Sequence, residues 1–477
     1  MARQYRTNFL KPFFPLVLFL QVAPVLAQEK AATQELANPI LLERKFQDAY
    51  EIILERSLDP ISSSTLMMKG FQSMRKSPSL EGVAYSDLVS PTQRLGNRSD
   101  DLAAFRSALR ATRAKAQGPV DLEELVSALI HGMVDALRDE GDHYCAYLEP
   151  DRNRELQEIL KGELKSYAGI GISFEYRDNR CHVISPIPDS PAYRAGIRPG
   201  DAIVQVNGEE LMSQDDATER ISGDPGSRVI LTVERKDVTE VLTYELIREM
   251  IVQPQLDKIM LPGNIGYVRI NSFNEHTGKA LLENLRYLEG LGMEKCLLDL
   301  RRNAGGLLTS AEEVSEVFLP KGSLIVGTQG RGDEKPVRRV TRWNFPFTRI
   351  PLILLVDENT ASAAEIVTGA IRDNRRGVAV GKTTFGKGTV QEVKQLADNS
   401  AIKLTVARYL TPSGAMIDRK GIDPDYGVET ETVVFPTKYS DPSTIDLAEL
   451  AQDKQLRKAM EIFGYTFPIF PAVAAGG

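Results

Sequence analysis

"LLVDENTASAAEIVTGAI" runs from Leu354 to Ile371. An apolar run ends in Asp357, Glu358 and Asn359, small residues follow, and the segment from about Ala363 has helical spacing. A strand passing through a tight joint into a helix is the unit of an α/β fold. One serine, Ser362, stands at the joint. Its hydroxyl is either a nucleophile or simply a small group that lets the helix pack closely on the strand.

Outward from this stretch the same alternation repeats. From about Gly263 the chain reads "NIGYVRI", "HTGKALLENLRYLEGLG", "KCLLDLR", "LTSAEEVSEVFL", "PLILLVD", "ASAAEIVTGAIRD" and "GVAVG". Strands alternating with helices predict a largely parallel sheet, with "RWNFPFTRIP" as a long connection inside it. "DLAELAQDKQLRKAMEIFG" predicts one further amphipathic helix.

Upstream the texture changes. Between Ala168 and Ile247 lie short strands with Gly, Pro and Asp turns, "GIGISFEY", "CHVISPI", "DAIVQVNG", "RVILTVER" and "VLTYELIR", with one short helix at "SPAYRAG" closed by Gly196. Before that, "LLERKFQDAYEIILERSL", "SDDLAAFRSALRATRAKA" and "DLEELVSALIHGMVDAL" read as helices, the last with Asp121 as N-cap. "RDEGDHYCAYLEP" is a turn.

The first 27 residues stand apart. Arg3, Arg6 and Lys11 precede the apolar "FFPLVLFLQVAPVLA", which ends in Val25-Leu26-Ala27. That is the pattern of an export signal, with an uncleaved anchor as the alternative. The chain therefore divides into a signal peptide (1–27), a helical region (28–158), a β module (160–250), an α/β core (255–430) and a C-terminal helical tail (431–477).

Bulk properties bound the function. At 477 residues the chain is long enough for two to four domains with real cores. A net charge of −7 with no basic stripe argues against a nucleic-acid partner. The three cysteines, Cys145, Cys181 and Cys296, form neither a disulfide framework nor a metal cluster, and no cofactor is implied. A Cys145–Cys181 bridge stays open as an alternative; Cys296, inside "KCLLDL", reads as a core thiol.

Three constellations carry chemistry. "YAGIGISF" puts Gly169 and Gly171 at the start of a strand, with Ile170 and Ile172 between and after them. Backbone N–H groups turned by such glycines can hold a terminal carboxylate, and a strand edge can accept a peptide. A tight turn explains the same glycines. "SPAYRAGIRPGDAIVQVNGEEL" then tips the balance, because this module resembles a PDZ domain of the kind found in proteases. In "LLDLRRNAGGLLTSAEEV", Gly305 and Gly306 free backbone N–H groups at a helix start, where an oxyanion can be stabilised; close strand–helix packing is the plainer reading.

A serine needs a base. The four histidines, His131, His143, His182 and His276, all lie outside the strand–helix stretches around Ser362. "GKTTFGKGTVQEV" offers lysine instead. Lys387 lies between Gly386 and Gly388, and Gln391 follows at i+4, on the same face of a helix or a strand. Lys382, beside Thr383 and Thr384, reads as a solvated turn lysine. A lysine acts as base only when neutral, so burial must lower its pKa.

In order, these motifs resemble the C-terminal processing (tail-specific, carboxyl-terminal) serine protease family with a PDZ domain. The resemblance covers nearly the whole chain after residue 27 and is weakest over 60–120. It implies an α/β crotonase-like (Clp-protease-like) catalytic core with an inserted β-rich PDZ domain and helical N- and C-terminal segments. It also implies a serine endopeptidase with Ser362 as nucleophile, Lys387 as base and Gln391 assisting. Gly305 or Gly306 with the backbone of Ala363 would form the oxyanion hole, while Glu365 and Asp373 would support it. Gly169, Ile170, Gly171 and Ile172 would bind substrate tails. Three departures stand out: Thr360 and Ala364 replace serines of the family pattern, "DHYCAYLEP" replaces a "DPYTxYLxP"-like turn, and "NAGG" replaces "NPGG". The expected partners are proteins or peptides with accessible C-termini in a periplasmic or other extracytoplasmic space, and the terminal helices suggest a homodimer. The competing reading is a non-catalytic PDZ-containing adaptor or ligand-binding protein on the same fold.

Overall fold

The computed structural model describes residues 39–468, apart from 78–79, 81–94, 116–119, 163–165, 178–179, 188–189, 199, 236–237, 239, 253–255, 431 and 437–441. The export signal expected over 1–27 lies outside the described residues.

The N-terminal region is helical: α1 (Pro39–Arg56), α2 (Ser63–Met74), α3 (Arg98–Lys115) and α4 (Leu122–Asp139). Asp121 caps α4 as its sequence predicts, accepting from the N–H groups of Glu123 (2.9 Å) and Glu124 (3.2 Å). Gly132 lets α4 cross α2 closely, since a Cβ there would stand 2.4 Å from the Lys69 carbonyl oxygen. The core of this region includes Phe46, Phe71, Phe105 and Leu129, and it is completed by Leu396, Ile402 and Leu404 from much later in the chain. After α4 come a short strand β1 (Ala146–Leu148) and α5 (Pro150–Lys161).

The β module follows: β2 (Ser166–Gly169), β3 (Ile172–Arg177), β4 (Arg180–Pro186), a helical turn α6 (Pro191–Arg194), β5 (Ala202–Val206), β6 (Glu209–Glu210), α7 (Gln214–Ile221), β7 (Arg228–Glu234), β8 (Leu242–Ile247) and β9 (Glu249–Val252). Its main sheet has the order β3-β4-β5-β7-β8, which leaves β3 at an edge; β2 pairs with β9 instead. "GIGISFEY" is thus two strands broken at Ile170-Gly171, where Gly171 takes φ +75°.

The α/β core holds the sheet β10-β11-β12-β15-β16-β19, parallel except at β10–β11. Its elements are β10 (Leu256–Leu261), β11 (Ile265–Ile270), α8 (Thr277–Gly290), β12 (Lys295–Asp299), α9 (Leu308–Phe318), β13 (Leu324–Gly330), β14 (Val337–Val340), β15 (Leu352–Val356), α10 (Ala363–Asp373), β16 (Val378–Gly381), β17 (Thr389–Gln395), β18 (Ala401–Leu410) and β19 (Tyr426–Gly427). Both sheet faces are covered, which is why β12 and β15 read as unbroken apolar runs. Leu298 and Leu354 face a cluster with α8, α9 and α10; Leu297, Ile353 and Leu355 face the C-terminal tail. A second sheet runs β1-β18-β13-β14, with β17 also on β18.

One expectation needs correction, and one alternative left open by the sequence is decided. The tail is two helices, α11 (Leu447–Leu450) and α12 (Lys454–Ile462), rather than one. The break lets buried Asp453 cap α12 with one oxygen while the other accepts from Arg301 Nη1 at 2.6 Å. All three cysteines are free and buried, with Cys145 in the helical-region core and Cys181 in the β-module core, so no Cys145–Cys181 bridge exists. The terminal helices pack apolar residues inside the chain: α1 buries Leu42, Phe46, Ala49 and Ile53, and α12 buries Leu456, Ala459 and Met460.

Candidate active site

Two loops meet because their strands are neighbours. β12 and β15 are parallel and paired, with Asp299 opposite Leu355, so the segments leaving their C-terminal ends emerge side by side. This is where open parallel sheets place ligand sites. The Ala361 N–H donates to the Asn303 carbonyl at 2.9 Å, and the Thr360 hydroxyl donates to the Leu300 carbonyl at 2.9 Å.

Ser362 sits in the joint with φ +55° and ψ −117°, a strained conformation for a residue with a Cβ. Gly305 lies directly against it. A Cβ at Gly305 would be 2.8 Å from Ser362 Cβ and 2.9 Å from the Ala363 nitrogen, so only glycine fits. The Gly305 N–H already donates to Asn303 Oδ1 at 2.8 Å, and Asn303 Nδ2 donates to the Ile270 carbonyl at 2.7 Å. The N–H groups of Gly306 and Ala363, by contrast, have no partner among the described residues. Of the two expected glycines, Gly306 is therefore the free donor.

Glu365 ties the serine joint to the lysine loop. Its buried carboxylate accepts from the N–H of Ser362 (2.9 Å), Gly386 (2.8 Å) and Lys387 (2.8 Å) and from the Thr384 hydroxyl (2.6 Å). The Thr384 hydroxyl in turn accepts from the Ile422 N–H, so all four Glu365 partners are donors and the site calls for an ionised carboxylate. Burial pushes the Glu365 pKa up, and those four hydrogen bonds oppose it.

The Lys387 ammonium has no hydrogen bond or ion pair among the described residues; its Nζ lies over the Tyr144 ring, 4.9 Å from the centroid. Its pKa is lowered, first by burial and then by the charge of Lys403, with Glu365 acting the other way. The Tyr409 hydroxyl donates to the Lys387 carbonyl, and its own pKa is held well above normal by burial. Lys382 differs, pairing with Glu358 (3.3 Å) and Glu429 (3.0 Å) at the surface.

Other predicted residues are placed as follows. Gln391 lies on β17 at a register shift beside Val390, and its amide donates to Thr389 (2.8 Å) and Thr405 (3.3 Å), not to Lys387. Asp373 ends α10, which at about 1.5 Å per residue puts it roughly 15 Å from Ser362. There it accepts from the Ser413 N–H at 3.0 Å and has no part in the site. No histidine bonds Ser362: His131 faces Glu149 at 3.5 Å, His143 is exposed, His182 is in β4 and His276 precedes α8. Sequence reasoning missed Asn303, Thr384, Tyr144 and Tyr409. Asn303 and Thr384 lie inside the quoted motifs, but no local signal points from Tyr144 or Tyr409 to the lysine.

In the β module, the carbonyls of Ile170 and Gly171 are taken by the N–H groups of Ala192 (2.9 Å) and Ile187 (2.8 Å). The N–H groups of Ile170 and Gly171 have no partner among the described residues. Gly169 ends β2 and Ile172 begins β3, and the Ile170 and Ile172 side chains are buried.

The peptidase family S41 profile matches residues 264–428, and a PDZ domain profile matches 182–235. A carboxy-terminal-processing protease of Bartonella bacilliformis is 34% identical over 349 residues, covering 72% of this chain and 78% of the relative. The chain belongs to peptidase family S41. CtpA of Bacillus subtilis, a carboxy-terminal processing protease, is 36% identical over 311 residues, 65% of each chain. A crystal structure from Bacteroides fragilis, described as an S41 protease, superposes with a TM-score of 0.50 at 18% identity over 69% of this chain and 87% of that one, which speaks to the fold. This S41 protease is a serine endopeptidase of the carboxy-terminal-processing type, acting on protein substrates and carrying a PDZ domain. Among its described residues no helix is long and apolar enough to cross a membrane.

Proposed function

We propose that Ser362 is the nucleophile and Lys387 its general base. The observation that carries this is Glu365 holding the N–H groups of Ser362 and Lys387 on one carboxylate oxygen, with a half-buried, unpaired Lys387 ammonium beyond. Burial favours the neutral amine, which takes the proton as Ser362 Oγ attacks the peptide carbonyl. The tetrahedral oxyanion accepts from the N–H groups of Gly306 and Ala363. Lys387 then gives its proton to the departing amine, leaving an acyl-enzyme. A water molecule that loses its proton to Lys387 hydrolyses the ester and frees Ser362. Gln391 holds the amine without restoring its charge.

The PDZ domain, read as 160–250 between a helical region (28–158) and a core (255–430) followed by the tail (431–477), selects substrates by their C-termini. The N–H groups of Ile170 and Gly171 receive the terminal carboxylate, and the edge strand β3 adds the tail as an extra strand. Export to a periplasmic or other extracytoplasmic space rests on residues 1–27. The core sheet with helices α8, α9 and α10 on one face supports the crotonase-like (Clp-protease-like) reading.

A serine-directed fluorophosphonate probe tests the assignment. Wild-type protein is expected to be labelled and Ser362→Ala not, and peptide hydrolysis is expected to vanish in Lys387→Ala and persist in Lys382→Ala. Labelling of Ser362→Ala, or loss of hydrolysis only in Lys382→Ala, sinks it.

A further inference from the structure

The turn at 142–145 belongs to the helical region and lies outside the stretch matched to the peptidase family, 264–428. It nevertheless reaches the lysine loop. β1 pairs with β18, Ala146 opposite Lys403, and this brings Asp142 against Thr405.

A directional chain of hydrogen bonds starts there. The Thr405 hydroxyl donates to Asp142 Oδ1 at 3.0 Å. A hydroxyl has one proton, so once that proton faces a carboxylate the oxygen can only accept from other groups. Gln391, opposite Thr405 in the β17–β18 register, places Nε2 3.3 Å from Thr405 Oγ1 and 2.8 Å from Thr389 Oγ1. Thr405 Oγ1, its proton committed to Asp142, accepts from the NH2 and so fixes which end of the amide faces it, and the Gln391 Oε1 has no partner among the described residues. Asp142 is itself held, with the Tyr144 N–H on Oδ1 at 3.2 Å and the Cys145 thiol on Oδ2 at 3.0 Å. Burial pushes that thiol up to about 12, so it keeps its proton for Asp142.

The orientation matters chemically. A neutral lysine works through its lone pair. An amide NH2 turned toward Lys387 would bind that lone pair, whereas an amide oxygen accepts an amine N–H and leaves it free for the Ser362 proton. We propose that Asp142 and Thr405 are positioning residues that fix the Gln391 amide, leaving its Oε1, and not its NH2, free to accept from the Lys387 amine in the reacting complex. This rests on the Ser362–Lys387–Gln391 reading above. On this view the helical region, through one turn, completes the base of the protease.

Kinetics of peptide hydrolysis by the full chain test it. Thr405→Val removes the hydroxyl and keeps the shape; kcat is expected to fall by about tenfold or more with KM within about twofold, as for a group that is misplaced rather than lost. Thr405→Ser restores most of the rate. Because the two residues act in series, Asp142→Ala with Thr405→Val is no slower than Thr405→Val alone, and Thr405→Val adds nothing in a Gln391→Ala background. The proposal is overturned if Thr405→Val keeps the wild-type kcat, or if its loss persists undiminished in the Gln391→Ala background, which would mark a purely structural effect. Wild-type activity in Lys387→Ala or Gln391→Ala would instead overturn the underlying reading.

Discussion

The backbone N–H groups of Ser362 and Lys387 both point at Oε2 of Glu365, at 2.9 and 2.8 Å. One buried carboxylate thus sets the relative position of the two groups that the proposed chemistry requires. Glu365→Gln replaces one acceptor oxygen by an NH2 that must face donors. We expect a loss of about 1–3 kcal/mol in unfolding free energy, as for an unsatisfied buried pair. The fall in kcat should be on the order of a hundredfold, as for catalytic groups displaced by about an ångström. Denaturant unfolding and steady-state kinetics check the two numbers separately.

Lys387 gives a pH dependence with a definite sign. Burial lowers its folded pKa from the ordinary 10.5, so between the lowered value and 10.5 the unfolded chain binds the extra proton. Stability should therefore rise with pH across that window. Lys387→Met lacks the slope and is expected to be more stable than wild type at neutral pH, an advantage that fades as pH approaches 10.5. In wild type, kcat/KM should climb as pH rises through the lowered folded pKa and level off above it, because only the folded-state titration frees the amine. Melting curves at several pH values and a pH–rate profile read both.

Asn303 holds Gly305 in place, and with it the free Gly306 donor. Asn303→Ala removes the acceptor of the Gly305 N–H and leaves the Ile270 carbonyl without its 2.7 Å donor. A loss of about a hundredfold in kcat is expected, comparable to removal of one oxyanion donor. KM should change little if the donors act mainly in the transition state.

Asp453 links the tail to the same loop. It accepts from Arg301 at 2.6 Å, and Arg301 also grips Asp299 at 2.7 Å, with all three residues fully buried. Asp453→Ala leaves a buried guanidinium short of one partner and removes the cap of α12. A destabilisation of about 3–5 kcal/mol is expected from a broken buried ion pair, measurable by urea unfolding.

At the PDZ domain, the proposed reading has the N–H groups of Ile170 and Gly171, without partners among the described residues, receive the substrate carboxylate. Amidating the C-terminus of a peptide substrate should raise KM by about tenfold or more, the scale of a lost charge-assisted hydrogen bond, with kcat little changed. Equal KM for the acid and the amide would remove carboxylate recognition from this site.

Much of the protein was legible in its sequence, for local reasons. Alternating apolar runs and helical spacing set the α/β core. The need for glycine at the Gly305-Gly306 joint and the need for Asp121 as the cap of α4 are readable because glycine and capping requirements act over a few residues. The absence of histidine from the strand–helix stretches around Ser362 pointed to Lys387. The sequence could not say that Asp373 turns away to bind Ser413, because a helix carries its end about 15 Å from its start whatever its role. Nor could it say that Gly305 is already occupied and Gly306 free, since that depends on where the Asn303 amide lands. Only the tertiary structure decided that the 142–145 turn, far from the lysine in sequence, sets Tyr144 against Lys387 and Asp142 behind Thr405 and Gln391. Local chemistry fixes which residues can react. The pairing of β1 with β18 and the single carboxylate of Glu365 fix which of them meet, and contacts between residues so distant in the chain leave no periodic trace in it.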